Sequence, residues 1–435
     1  MKRLQWMRTW GSFAALAALA SGAQAQSALD PAQADFGGGS ANRWVATWGS
    51  APIAPGPTTI DAIFGGDRSR SFENQTVRNI VHTSVGGRRV RVRLSNAFGA
   101  LPLRVGAAQV ALSSGGAAVY PGSRRLTFGG QPSVLIPAGG VMLSDTAELD
   151  VPADGNLAVS VYLPGITEPA TFHEFTLQTS YVTAEGSGNQ VAATDLPGAA
   201  PTPSTFYLTA VEVLPPESVG ALVALGDSIA QGGGSTPDQN RTWPAKLSDR
   251  LNPNPYRPRM AVVNQGVGCG RLLFDLCGPN GIARFDRDVL GVAGVRTVIV
   301  SLGLNDIMIP STLPNFGKPE FAAETVSAAD IINGLKQIVS RARAANVKII
   351  GTTITPFGSS PVPGVYTPET EAKRQAVNRW IRTGGGFDGI IDFEAAVRDP
   401  ANPARLLPAY DADGVHLSDA GYQAMANAIN LSMLF

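Results

Sequence analysis

A chain of 435 residues exceeds one ordinary domain, so two are expected, with room for a sizeable core. Lysine plus arginine equal aspartate plus glutamate at 34 each, which argues against nucleic acid or an anionic membrane surface as the main partner. Two cysteines, Cys269 and Cys277, are too few for a disulfide scaffold, and with three scattered histidines they do not supply an evident zinc site.

Met1 to Ala25 carries Lys2, Arg3 and Arg8, then the apolar run Phe13 to Ala20, then Ala23-Gln24-Ala25. Those are the three parts of a secretory signal peptide, so the mature chain is expected to begin at Gln26 and to be secreted or periplasmic. No later stretch approaches the ~20 apolar residues of a membrane-spanning helix, and no integral membrane segment is expected. Residues 26–42 are small and polar and read as a linker.

Residues 43–216 show short alternating runs separated by Gly, Pro, Asn and Ser. Arg89 to Leu94 places Val90, Val92 and Leu94 on one face, and Gly86-Gly87 before it suits a hairpin turn. The arginines at 78, 88, 89, 91 and 93 read as the solvated face of a strand. Further strands are expected at Gln109 to Leu112, Ser133 to Ile136, Leu157 to Leu163 and Phe206 to Val213. With no long helical period before Pro215, this region is predicted to be an antiparallel β-sandwich or a jelly-roll-like domain.

The pattern changes over residues 217–435. Buried strands are expected at Ala221 to Leu225, Thr297 to Leu302, Val347 to Gly351 and Gly389 to Phe393, alternating with helices. The helices begin at Ser327, an N-cap with Asp330 three residues on, at Thr367-Pro368, and at Ser418. Such alternation implies an α/β domain of three layers, a parallel sheet with helices on both faces, binding its ligand beyond the carboxyl ends of the strands.

Four stretches carry chemistry. Gly226-Asp227-Ser228 follows the buried strand Ala221 to Leu225, where a glycine turn can hold out a serine hydroxyl as a nucleophile. His416 stands three residues after Asp413 in "DADGVHLSDAGY"; a carboxylate folded onto Nδ1–H would leave Nε2 free to take a proton from a serine. Asn305, in "SLGLNDI", places a side-chain N–H at a strand end, suited to a developing oxyanion. The glycines of "VVNQGVGCGRLL" let a backbone N–H approach the same point. His82 and His173 read as packing or surface residues, and Asp227 and Asp306 as acceptors of turn N–H groups. Asp411-x-Asp413-Gly414 lacks the closing glutamate of a calcium loop.

Taken together, Gly226-Asp227-Ser228, Gly266, Gly303-x-Asn305-Asp306 and Asp413-x-x-His416 resemble the blocks of the SGNH or GDSL family of serine hydrolases. "RWVATWGSAP", "TVRNIVHTSVGGRRVRVRLSNAFG" and "GTTITPFG" extend the resemblance to secreted GDSL esterases with an N-terminal β-rich domain. The resemblance implies Ser228 as nucleophile, His416 as base, Asp413 as its orienting acid, and an oxyanion hole formed by Ser228, Gly266 and Asn305. It implies no metal and no cofactor. Gly270 departs from the asparagine common in such esterases, and the cysteines flank the loop that follows it. Export and the short loop between them lead us to expect a Cys269–Cys277 disulfide.

The expected function is a secreted serine esterase working through an acyl-enzyme on a small ester or an acylated carbohydrate, with short acyl groups preferred. The small-residue loops Gly232-Gly233-Gly234 and Gly384-Gly385-Gly386, and the lack of an apolar helical insertion to roof a fatty-acyl tunnel, support that preference. The alternatives are a lysophospholipase or arylesterase of the same family, or a catalytically silent polysaccharide-binding protein. An α/β-hydrolase lipase is disfavoured, because Ala230 stands where that motif has its last glycine.

Overall fold

The computed structural model describes residues 44–56, 68–254, 259–384 and 386–435. The expected signal peptide and linker lie outside them. The described residues belong to one compact unit, Ser40–Phe435.

The first part is built from two large antiparallel sheets, with the short pairs Leu103–Val105/Val134–Ile136 and Phe172–His173/Thr205–Phe206 beside them. One runs in the order Val45–Gly49, Leu208–Val213, Gly87–Ser95, Ala147–Val151, with Val141–Leu143 also on Gly87–Ser95. The other runs Ala200–Thr202, Ser180–Val182, Glu73–Thr83, Gly155–Ile166, Ala107–Gly115, Ala118–Val119, with Arg124–Leu126 beside Ala107–Gly115. Alternation sends Val90, Val92 and Leu94 inward from one sheet and Val77, Val81, Val159 and Val161 from the other, into one core. No helix precedes Ser228 among the described residues. The expected strand Phe206 to Val213 is interrupted at Tyr207, which has φ 60°.

The arginine row differs from expectation. Arg78 is fully buried, and it donates to Ser160 Oγ at 2.9 Å and to the Ala117 and Ala193 carbonyls. Arg91 and Arg93 converge on the buried Glu212, at 2.7 and 2.8 Å. A charge buried on this face is tolerable because it is paired. Only Arg88 and Arg89 are left exposed.

The second part is a parallel sheet of five strands: β1 (Gly220–Gly226), β2 (Met260–Gly266), β3 (Val295–Ser301), β4 (Lys348–Thr352) and β5 (Gly389–Ile391), in the order β2-β1-β3-β4-β5. Burial on both faces explains why β1 reads as an unbroken apolar run rather than an alternating one. The helices are α1 (Ser228–Gln231), α2 (Trp243–Leu251), α3 (Gly281–Phe285), α4 (Leu304–Thr312), α5 (Ala328–Ala344), α6 (Pro368–Gly384), α7 (Phe393–Val397) and α8 (Asp419–Ala428). The Ser327–Asp330 capping box starts α5, and Ser418 caps α8 by accepting from Gly421 N–H.

The two parts meet along β2, an edge strand. Ser84 Oγ accepts from Val262 N–H at 3.1 Å while donating to the Thr47 carbonyl at 2.8 Å. Gly49 lies so close that a Cβ there would come within 2.6 Å of Val263. The strand order turns back on itself beside β1, which puts the ligand crevice of this topology at the carboxyl end of β1.

Candidate active site

Ser228 stands at that end, as the first residue of α1. Gly226 permits the turn: a Cβ there would meet Ala230 Cβ at 2.4 Å and the Ser301 carbonyl at 2.9 Å. Asp227 caps α1 by accepting from Ile229 N–H at 3.0 Å. Burial raises the Asp227 carboxyl to about 6, against the opposing pull of that hydrogen bond. Below the turn the fully buried Arg284 donates to the carbonyls of Gly226 and Gln265, each at 2.7 Å, tying the ends of β1 and β2 together.

His416 reaches Ser228 from the loop before α8. Its Nε2 lies 2.8 Å from Ser228 Oγ and its Nδ1 lies 2.7 Å from Asp413 Oδ2. Asp413 Oδ1 accepts from the backbone N–H groups of Val415 and His416, at 3.0 and 2.8 Å. Partial burial works against ionisation of Asp413. The hydrogen bond and charge of His416, with the two N–H groups, outweigh it and hold the carboxyl well below the usual carboxylate range. An ionised Asp413 fixes the proton on Nδ1, so Nε2 is the acceptor facing the serine hydroxyl. The side chains of His416 and Asp413 are 28% and 55% exposed, so the site opens to solvent.

Gly232-Gly233-Gly234 backs the imidazole, with Gly232 and Gly234 at φ 112° and 87°. The other triplet is elsewhere: Gly384 ends α6, which leads to the amino end of β5, away from the strand ends that bear Ser228.

Asn305, buried at the start of α4, donates through Nδ2 to the Gly270 carbonyl at 3.1 Å, which leaves its second amide hydrogen for another acceptor. Asp306 accepts from Leu272 and Leu273 N–H, at 2.7 and 2.9 Å, and anchors the segment that follows Gly270.

Gly266 requires a correction. Its N–H donates to Asn264 Oδ1 at 2.9 Å and is therefore not free for an oxyanion. The glycine serves packing instead, since a Cβ there would lie 2.2 Å from Gln231 N. Among the described residues of this segment, Gly268, Cys269 and Arg271 have backbone N–H groups that meet no acceptor, and the first two flank the turn beside Gly266. Cys269 has φ 44°, an unusual conformation outside glycine, and is joined by a disulfide to Cys277 with Cα atoms 5.8 Å apart. Gly270, its neighbour, sits against Asp227, 3.6 Å from its Cα to a built Cβ.

Residues 224–424 match the model of the GDSL-like lipase/acylhydrolase family. This stretch is a GDSL-like lipase/acylhydrolase domain. The chain is a carboxylic ester hydrolase. Among solved structures, the GDSL domain is similar to an aryl esterase from M. smegmatis and to a carbohydrate acetylesterase from Sinorhizobium meliloti. Each is 16% identical with a TM-score of 0.39, over 50% of this chain and 100% of the other. It is also similar to a GDSL-like lipase from Bacteroides thetaiotaomicron, 19% identical with a TM-score of 0.36, over 49% of this chain and 87% of the other. Among curated proteins none matches this sequence. No described helix is long and apolar enough to cross a membrane.

Sequence reasoning missed three parts of the site: the used N–H of Gly266, the strand-end clamp by Arg284, and a contact from the β-rich part. There Gln231 Nε2, one helical turn after Ser228, meets His173 Nε2 at 3.1 Å and the Glu174 carbonyl at 2.5 Å.

Proposed function

We propose that the chain is an exported serine esterase that hydrolyses short-acyl esters, including acetyl esters on carbohydrates, through an acyl-enzyme. The observation that carries this reading is the chain of contacts from Asp413 to His416 to Ser228, 2.7 and 2.8 Å long. Ser228 Oγ attacks the ester carbonyl as His416 Nε2 takes its proton. His416 then gives that proton to the departing alcohol, and water repeats the sequence to free the acid. The oxyanion is received by Ser228 N–H, by Asn305 Nδ2 and by the unbonded N–H groups at Gly268 and Cys269, in place of Gly266.

Two features support a short acyl group. The exposed Asp413 and the half-buried His416 leave the site without a deep apolar roof. The neighbouring recess lined by Asp227, Ile229, Leu302, Leu304 and Ile354, which Ser228, His416 and Asn305 do not line, holds only about 10 Å³. A long chain would find little wall there, and each added methylene would not gain the ~0.8 kcal/mol of full burial. Export is supported by the three-part segment Met1 to Ala25 and by the pairing of both cysteines.

The test is a panel of p-nitrophenyl esters from C2 to C12 with acetylated sugars alongside. The expected kcat/KM is highest at C2 to C4 and falls by C8. An optimum at C10 or longer would replace this reading with a lysophospholipase-like one.

A further inference from the structure

We infer that Gln231 is a positioning residue for the nucleophile helix, and that the β-rich part, through His173, is a component of the catalytic apparatus rather than a device for holding substrate. This rests on the esterase reading of Ser228.

The local chemistry fixes the direction of each bond. His173 Nδ1 lies 2.6 Å from the Ala51 carbonyl, and a carbonyl only accepts, so Nδ1 carries the proton. Nε2 then presents a lone pair, which takes a hydrogen from the Gln231 side-chain amide at 3.1 Å, while the other goes to the Glu174 carbonyl at 2.5 Å. Burial keeps the ring neutral in this form down to about pH 4. Both hydrogens of the Gln231 amide are thus consumed by the β-rich part.

Gln231 also borders the oxyanion segment, because a Cβ built on Gly268 would lie 3.1 Å from Gln231 Oε1. Its own backbone N–H returns to the Asp227 carbonyl at 2.9 Å, closing α1 onto the turn that presents Ser228. The same two residues of the β-rich part reach the disulfide loop by a second route. Glu174 pairs with Arg68 at 2.6 Å, and Arg68 Nη1 donates to the Cys277 carbonyl at 2.8 Å. One dipeptide, His173-Glu174, thereby sets α1 against the 268–277 segment, which are the two pieces that must stay in register for attack and oxyanion capture.

α1 spans only Ser228–Gln231, too short to hold its place by its own hydrogen bonds. Loss of the Gln231 contact should let Ser228 drift relative to the 268–269 N–H groups. That costs turnover rather than substrate affinity.

The experiment uses the full chain with Gln231→Leu, His173→Leu and His173→Gln, assayed on p-nitrophenyl acetate. Reactive serines are counted with a fluorophosphonate, so that kcat refers to competent sites. The expected result is a fall in kcat of ~10-fold in both leucine variants with KM within about twofold, and recovery of at least half of the wild-type kcat in His173→Gln, which keeps an acceptor near the Nε2 position. An unchanged kcat per titrated site, a rise in KM alone, or a His173→Gln protein as slow as His173→Leu would each overturn the inference. Melting curves identify a variant that fails to fold; if His173→Leu does, Gln231→Leu decides the question. A wild-type protein that neither reacts with the fluorophosphonate nor turns over the ester would instead remove the esterase reading itself.

Discussion

The Tyr422 hydroxyl donates to the Gly233 carbonyl at 2.6 Å, and Gly233 in turn lies flat against the His416 ring. A Cβ at Gly233 would come within 2.9 Å of His416 Cδ2 and 3.2 Å of Nε2. Gly233→Ala should therefore push the imidazole away from Ser228. A kcat lower by ~10- to 100-fold is expected with little change in melting temperature, since displacement of about 1 Å is enough for such a loss. Tyr422→Phe frees the carbonyl and should cost about 1 kcal/mol of stability with a smaller loss of turnover. Steady-state kinetics with melting curves on both variants separate the two effects.

Ser228→Ala and His416→Ala should each lower kcat by ~10³-fold or more, and the double variant should be little worse than either, because the groups act as a unit. Circular dichroism should show an intact fold. A folded Ser228→Ala protein that kept more than about a tenth of wild-type turnover would show that another group attacks the ester.

The Cys269–Cys277 bridge closes a loop with a sequence separation of 8. Loop-closure entropy assigns it about 2.5 kcal/mol, so Cys277→Ser should lower stability in urea by about that amount. Turnover should fall as well under the proposed reaction, in which Cys269 N–H helps to receive the oxyanion. Peptide mapping without reductant should recover the two cysteine peptides linked.

Acid stability offers a separate check on His173. An unfolded histidine titrates near 6.5, whereas burial lowers the folded one to about 4. Between those values the unfolded chain binds more protons, so this residue's contribution is present above about pH 6.5 and is lost as pH falls towards 4. The raised Asp227 carboxyl slopes the opposite way, losing stability as pH rises through about 4 to 6. The readable quantity is the difference between wild type and His173→Gln. That difference should shrink as pH drops from 7 to 4.5 in urea titrations, and a constant difference would contradict a neutral, buried ring.

The inner strands of the parallel sheet were legible because they are buried on both faces, so Ala221 to Leu225 and Thr297 to Leu302 stand out as apolar runs. The contacts of His416 with Asp413 and Ser228 were foreseen because their neighbours at fixed offsets have a chemical purpose. Gly266 was misread for the opposite reason. A glycine announces that a backbone comes close, but not which atoms are already engaged, and the acceptor on Asn264 two residues earlier uses the N–H. Cys269 gives no sign in the sequence of its positive φ. The arginine row alternated as expected, yet its partner Glu212 lies more than a hundred residues away, and only the register of Gly87–Ser95 with Leu208–Val213 brings them together. His173 has no local motif at all; its contact with Gln231 exists only where the β-rich part meets α1.

The hydrogen bond from Val262 to Ser84 has a consequence for how the chain can be divided. β2 is hydrogen-bonded to β1 on one side, and its other side is met by Ser84 with Gly49 close by. A bare strand edge is a template for a second molecule. Without the residues before 217, the α/β part would offer the backbone of Met260–Gly266, with Val262 and Val263, to any other copy, and such copies should pair edge to edge and precipitate. The sandwich thus guards against self-association, and a shortened version meant for crystallography or biocatalysis would need a charged or proline-bearing β2 in its place.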